Sequence, residues 1–344
     1  MANLKWSWVF SDEDDDTRRL LGWSFDSFLT GKSNTYVYSY PGDPMRAAGL
    51  RYSVWARDGE PIDGPSGKAA TSGSLSVPVY FTANPTTAAY LLYVEEGGTT
   101  TKISVRPTSP TSLGLYINGV QKEDIAGLNL NGYWNYITIK YDMSVNPWSA
   151  SLYINENGTG VTHTEALTAA ADTTFSFEGA AGPNGSYFGQ VVLYSDWVDT
   201  EKIRYVSRVN PSLDTSESGS WIPSSGTDNF AVISGSFSTS SYCANTASLS
   251  GENIVCQVTG ALGLITQLGM APPSIDGVTV HCWASGSGQQ AVPGVSDNNS
   301  VYTTGSAITP SSSPTYGYVS VSSQPSDSAV WNATSSLYIK YEVV

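Results

Sequence analysis

The side chains in this sequence best able to do chemistry are carboxylates, and they come in short runs. Asp12-Glu13-Asp14-Asp15-Asp16 is the densest. Hard cations such as Ca²⁺ gather several carboxylate and carbonyl oxygens. Asp12, Asp14 and Asp16 are therefore the candidate metal ligands, with Ca²⁺ as the candidate cofactor. The run is not an EF-hand loop, because no Gly stands at its sixth position and no Glu at its twelfth. Read plainly, it is a solvated acidic loop that pairs with Arg18-Arg19, and the sequence favours that reading.

The other carboxylate pairs fare worse as catalysts. A retaining glycosidase holds two carboxylates about 5 Å apart, one with a raised pKa. On a strand this shows as Glu-x-Asp-x-Glu, a string absent here. Glu95-Glu96 runs into Gly97-Gly98 and reads as a hairpin tip, while Glu123-Asp124 reads as a loop. No Gly-x-Ser-x-Gly elbow stands between a strand and a helix; Gly185-Ser186-Tyr187 and Gly286-Ser287-Gly288 are turn strings. His163 and His281 are the only histidines available to a triad. The expectation is a protein that is not an enzyme, with a glycan hydrolase as the least favoured reading.

Cys243, Cys256 and Cys282 form neither an even disulfide set nor the CxxC pairs of a zinc site. His281 and Cys282 are neighbours on an expected strand and so point to opposite faces. Buried free thiols are expected. Binding chemistry is better supplied. Saccharide sites combine exposed aromatic faces with amides and carboxylates, and the chain has 10 Trp and 21 Tyr. Most of these belong in a core. Trp148, beside Asn146-Pro147, and Trp197, beside Asp196, lie near turns and are the candidate carbohydrate-binding residues.

The elements that must position these groups are strands. Charged residues are only 13% of the chain, so its polar surface rests on Ser, Thr, Asn, Gly and Tyr. That composition suits short strands and tight turns. Strands are expected at Thr35–Tyr40, Leu50–Ala56, Ser76–Phe81, Ala89–Val94 and Thr101–Arg106. Leu115-Tyr-Ile-Asn-Gly119 ends a strand in an Asn-Gly turn. Gly132–Tyr141 alternates, with Trp134, Tyr136 and Thr138 on one face and Asn135, Ile137, Ile139 and Tyr141 on the other; it is expected to pair with Ser151–Asn155 as a hairpin. Asp199 to Val209 carries the pattern of a short helix. Residues 215–227 are small and polar and read as a linker. Beyond it, strands are expected near Phe230–Ser238, Ile254–Val258, Val278–Ala284, Tyr316–Val321 and Leu337–Val343, with a long loop in 285–315.

The formal charge of −14 leaves no basic footprint for nucleic acid and disfavours anionic membrane surfaces. No apolar run approaches the roughly 20 residues of a spanning helix, and the start of the chain lacks the pattern of a signal peptide. Synthesis in a host cytoplasm, with no membrane insertion and no nucleic-acid partner, is expected.

Two resemblances follow. Trp134-x-x-Ile-Thr-Ile-x-Tyr141 followed by Leu152-Tyr-Ile-Asn155 resembles the central hairpin of the laminin G-like, concanavalin A-like jelly roll. Phe188–Tyr194 and the segment Asp199–Val209 resemble that fold's closing strand and helix. Laminin G-like domains often bind Ca²⁺, which adds to the candidacy of the Asp12 run. Gln324-Pro…Trp331 followed by Leu337–Val343, together with the Gly277–Ala284 strand, resembles a small β domain of tailed-phage structural proteins. In that pattern a Tyr-Val strand is usual near the start, where this chain has only Ser241-Tyr242, and cysteines are not part of it.

The expected architecture is therefore all-β: a concanavalin A-like jelly-roll sandwich at 1–214, a linker at 215–227 and a smaller β-sandwich at 228–344. What the resemblances imply is a non-enzymatic structural protein on a tailed-phage virion surface, decorating the capsid or attached to the tail. Its partners would be phage capsid or tail proteins and further copies of itself. The alternative is a tail fibre or adhesin that binds host-surface glycans through the jelly roll.

Overall fold

The computed structural model describes residues 4–8, 24–25, 54–56, 61–64, 70–85, 90–97, 102–155, 160–179, 186–189, 191–194, 213–219, 221–227, 229, 231, 242–245, 247, 249–258, 275, 277–331 and 335–344. The chain divides into two compact units, Met1–Val206 and Ser207–Val344.

In the first unit the strands are β1 (Leu4–Trp8), β2 (Ser24–Phe25), β3 (Val54–Ala56), β4 (Pro61–Asp63) and β5 (Ser72–Phe81). They continue with β6 (Leu92–Glu96), β7 (Lys102–Ser109), β8 (Ser112–Ile117), β9 (Val120–Ile125) and β10 (Trp134–Asp142). The last are β11 (Trp148–Ile154), β12 (Val161–Glu165), β13 (Thr173–Glu178), β14 (Ser186–Phe188) and β15 (Val191–Tyr194). They form two antiparallel sheets. The first runs β1-β15-β5-β10-β11-β12, with β14 joining β5 to β3; the second runs β2-β4-β13-β6-β7-β8-β9. The chain leaves the first sheet after β5, fills most of the second with β6 to β9, and returns to lay β10 beside β5. It crosses again so that β13 lands beside β6, then returns to place β15 beside β5. This nesting of later strands against earlier ones is a jelly-roll path through a β-sandwich.

The pleat decides what the sandwich buries. Leu75, Val77 and Val79 of β5 share a face with Ile137, Ile139, Leu152, Ile154 and Leu193, all essentially inaccessible. From the second sheet the opposing face carries Leu92, Val94, Ile103, Val105, Leu113, Leu115, Phe175 and Phe177, also fully buried. Phe188 of the first sheet meets Phe177 of the second with ring centroids 4.6 Å apart. At the edge where β12 and β9 approach, Lys122 and Glu165 pair at 2.7 Å. The hydrogen bond from Lys122 is the main reason the Glu165 carboxyl is held below its ordinary range.

The expected hairpin of β10 and β11 forms, with Ile137 opposite Ile154 and Tyr141 opposite Ala150. Asn155 fixes its end. This residue adopts φ 51°, its Oδ1 accepts from the Tyr136 amide at 2.7 Å, and its Nδ2 donates to Asn135 Oδ1 at 2.9 Å. Asn135 is fully buried on the core face and donates onward to the carbonyls of Asn129 and Tyr133. A buried amide is tolerated there because its polar atoms are used.

The second unit contains β16 (Leu213–Ser218), β17 (Trp221–Pro223), β18 (Cys243–Asn245), β19 (Asn253–Val258), β20 (Val278–Ala284), β21 (Ala291–Ser296), β22 (Thr303–Thr304), β23 (Thr315–Val321) and β24 (Leu337–Val343). A five-stranded sheet, β16-β19-β24-β21-β22, faces the ribbon β20-β23. Between them Val258, Val295, Leu337 and Ile339 meet Val280, Val319, Val321 and Trp331. It is a second, smaller sandwich.

Several expectations need correction. The stretch 215–227 is not a linker: β16 begins before it and pairs with β19, and β17 pairs with β18. β16 is an edge strand whose side chains stay largely exposed. Its side chains are polar throughout apart from Leu213, and Asp214, Glu217 and Ser218 use theirs in hydrogen bonds, so no apolar alternation marks it as a strand. The second unit consequently starts ahead of 215. The loop expected in 285–315 contains β21 and β22. Asn229 and Ala231 are helical where a strand was expected from Phe230, and the rest of that strand lies outside the described residues. The strand at Thr35–Tyr40 and the helix at Asp199–Val209 also lie outside them.

Asn155→Ala removes two hydrogen bonds and leaves Asn135 half-satisfied, so it is expected to lower the stability of the first unit by about 1–3 kcal/mol. Urea unfolding followed by tryptophan fluorescence measures this.

Candidate ligand-binding face

The alternation that fills the core also decides what the second sheet turns outward. β7 reads Lys102-Ile103-Ser104-Val105-Arg106, with Ile103 and Val105 toward the core and Lys102, Ser104 and Arg106 on the opposite face, where Ser104 is fully buried and Lys102 and Arg106 are partly exposed. Register then assembles a face. Tyr93 of β6 lies opposite Ser104, Ser104 opposite Tyr116 of β8, and Tyr116 opposite Gln121 of β9. One row over, Glu95 lies opposite Lys102; on the other side Arg106 lies opposite Gly114, which faces Asp124. Tyr90, just ahead of β6, is held by Glu178, whose Oε2 accepts from its backbone amide at 3.1 Å.

These groups make an aromatic and cationic cluster. The Arg106 guanidinium carbon lies 3.4 Å from the Tyr90 ring centroid and 4.8 Å from that of Tyr116. Lys102 Nζ lies 4.3 Å from Tyr90 and 4.2 Å from Tyr93, and Tyr90 and Tyr93 meet edge to face at 5.8 Å. Cation–π pairs of this kind contribute about 0.5–2 kcal/mol each. Lys102 is also paired with Glu95 at 3.4 Å. Tyr116 donates to Gln121 at 3.2 Å, and Thr108 donates to Asp124 at 2.6 Å. Burial pushes the Tyr116 phenol up, and Asp124 adds to the rise against the opposing pull of Arg106.

The β8–β9 tip completes the arrangement. Asn118 (φ 51°) and Gly119 (φ 77°) form the expected Asn-Gly turn, which needs two left-handed residues in succession. Asn118 Oδ1 accepts from the Lys102 amide at 3.1 Å, and Arg106 Nη2 reaches the space beside Gly119. A bulky side chain at Gly114 is excluded: a Cβ there would meet Thr108 at 2.7 Å and Tyr116 at 3.0 Å.

Two other outward faces carry aromatic rows. On the first sheet Trp134, Tyr80 and Tyr187 lie side by side, with centroids 5.6 and 6.4 Å apart. On the β20–β23 ribbon of the second unit, Tyr316 lies between Trp283 at 5.4 Å and Tyr318 at 6.2 Å, and hydrogen-bonds His281 Nδ1 at 2.6 Å.

Of the candidate site residues, only Trp148 lies among the described residues, and it is not on any of these faces. Trp148 is fully buried, and its Nε1 donates to the Thr168 carbonyl at 2.8 Å. Following a turn made it look exposed, but it already belongs to β11, where the pleat sends it inward with Ala150 and Leu152. It cannot stack on a sugar. Trp197, Asp12, Asp14 and Asp16 lie outside the described residues. No cluster of three or more His, Cys, Asp or Glu suited to a metal occurs among the described residues. Tyr90, Tyr93, Lys102, Ser104, Arg106 and Tyr116 were missed, although the alternation of Lys102, Ser104 and Arg106 with two β-branched residues was a readable signal.

No family model and no curated protein matches this chain. Solved structures do. Domain 4 of a GH43 extracellular arabinanase from Geobacillus stearothermophilus, in complex with arabinotriose, is 14% identical, with 58% of this chain and 95% of that chain covered and a TM-score of 0.38. The winged bean acidic lectin with methyl-α-D-galactose is 11% identical, covering 55% and 98%, at 0.31. The metal-free carbohydrate recognition domain of Emp46p is 11% identical, covering 58% and 100%, at 0.36. Likenesses this distant carry nothing about what this chain does.

The cysteines are free thiols, Cys256 and Cys282 buried and Cys243 half-buried. Burial pushes all three up, Cys243 to about 12, helped by Asp214 and Glu217. Thiolate is the reactive form. At pH 8 the folded protein is therefore expected to react only slowly with Ellman's reagent, and to release three equivalents on unfolding in guanidinium.

Proposed function

We propose that the chain is a non-catalytic saccharide-binding protein whose first unit engages its ligand through the outward face of the second sheet. The observation that carries this reading is the interleaving on one face of accessible aromatic rings (Tyr90, Tyr116) with hydrogen-bonding groups (Lys102, Arg106, Gln121). Sugars offer apolar C–H faces rimmed by hydroxyls, and an array that alternates ring surface with donors and acceptors answers both. Apart from Tyr90, whose backbone amide is held by Glu178, the face lies on strands, so its groups are held by the ladder beneath them. Tyr90, Tyr116, Lys102 and Arg106 remain half-buried rather than sealed. The setting we propose is the one implied by the resemblance of the C-terminal residues: display on a virion surface, where the first unit reads host glycans.

A glycan array probed with the full chain tests the reading. Binding to a restricted set of glycans is expected, weakened about tenfold or more by Tyr116→Ala, in keeping with the 1–3 kcal/mol typical of a buried aromatic or hydrogen-bonded contact. Circular dichroism confirms that the variant folds. Absence of binding to any glycan, or undiminished binding by Tyr116→Ala, contradicts it. Release of reducing sugar from a bound glycan contradicts the non-catalytic part.

A further inference from the structure

The proposed face contains a cation, Arg106, that pairs with no carboxylate among the described residues. Arg106 Nε and Nη2 are buried and have no hydrogen-bond partner, and neither has Ser104 Oγ two residues away on the same strand. Among the described residues no carboxylate pairs with Arg106, whereas Lys102 is paired with Glu95. Buried charged donors left unmade are costly, and proteins rarely keep them without use. Stacking on Tyr90 and Tyr116 offsets part of the desolvation but satisfies none of the N–H groups.

The identity of the unused donors is informative. Nε–H and one Nη2–H point the same way along one edge of the guanidinium, the edge that grips a planar carboxylate or two oxygens of a sulfate through parallel hydrogen bonds. We infer that Arg106 is the anchor for an anionic substituent, a carboxylate or a sulfate ester, on the saccharide bound at this face. The inference rests on the saccharide-binding reading above and narrows it to acidic sugars. Lys102 Nζ lies 4.3 Å from the shared Tyr90 ring, but its charge is paired with Glu95, so Arg106 is the cation on this face that the anion would meet. The net charge of −14 opposes any anion at long range, but at physiological salt such a field is screened beyond about 8 Å. Contact with Arg106 is inside that distance.

The test is an NMR titration of the ¹⁵N-labelled full chain, following the Arg106 Nε–H signal, which Arg106→Lys identifies by its loss. The probes are D-glucuronate, D-glucose 6-sulfate and D-glucose. The expected result is a saturable shift of the Arg106 signal with one or both acidic sugars and none with glucose; which acid acts names the substituent. Arg106→Lys keeps the charge but not the fork, and its affinity for the acidic sugar, read from backbone signals, is expected to fall about tenfold. A shift with glucose equal to that with the acids overturns the anionic inference while leaving saccharide binding intact. If no probe moves any signal of the face, both readings fail.

Discussion

The first unit depends on one constraint: successive side chains of a strand must point to opposite faces. In β7 that rule places Ile103 and Val105 in a core shared with Leu92, Leu115 and Phe175, and it leaves Lys102, Ser104 and Arg106 no choice but to face outward. The apolar residues set the register, because a slip of one residue would bury the cations and expose the core. The candidate site is therefore fixed by the packing on the other side of the same sheet. A ligand face built this way is rigid, since moving it means moving the hydrophobic interior.

The electrostatics of the face are unusual for so acidic a chain. With carboxylates in excess, a cation would be expected to find one, and the Lys102 ammonium does. Arg106 is instead wedged between Tyr90 and Tyr116, opposite a glycine, with the tip of the β8–β9 hairpin beside it. Gly114 makes room and Asn118-Gly119 turns the chain tightly enough for Nη2 to reach the tip. Asp124 is close enough to raise the Tyr116 phenol, yet its Oδ1 is taken by Thr108.

How much of this was legible in the sequence follows from which forces each feature uses. Asn118-Gly119 and the β10–β11 hairpin were readable because they rest on local chemistry, left-handed turn residues and strict alternation. The two-unit, all-β architecture was readable for the same reason. β16 was not, because an edge strand can be polar along almost its whole length, and Asp214, Glu217 and Ser218 find their partners in residues distant in sequence. Trp148 was misread because proximity to a turn says nothing about which face of the pleat a residue takes. The cluster around Arg106 joins four strands through register, and pairing partners across a jelly roll are far apart in sequence. Tyr93 and Tyr116 stand in view as individual residues, but nothing local says that Ser104 lies between them.

The most direct measurement is a crystal structure of the full chain with the glycan it binds most tightly. The account predicts density for a sugar on the outward face of β6, β7 and β8, against the Tyr90 and Tyr116 rings, with an acidic group on Arg106 Nε and Nη2. A sugar bound on another surface, such as the Trp134 row or the Trp283 ribbon, with Arg106 still unpaired, would contradict it.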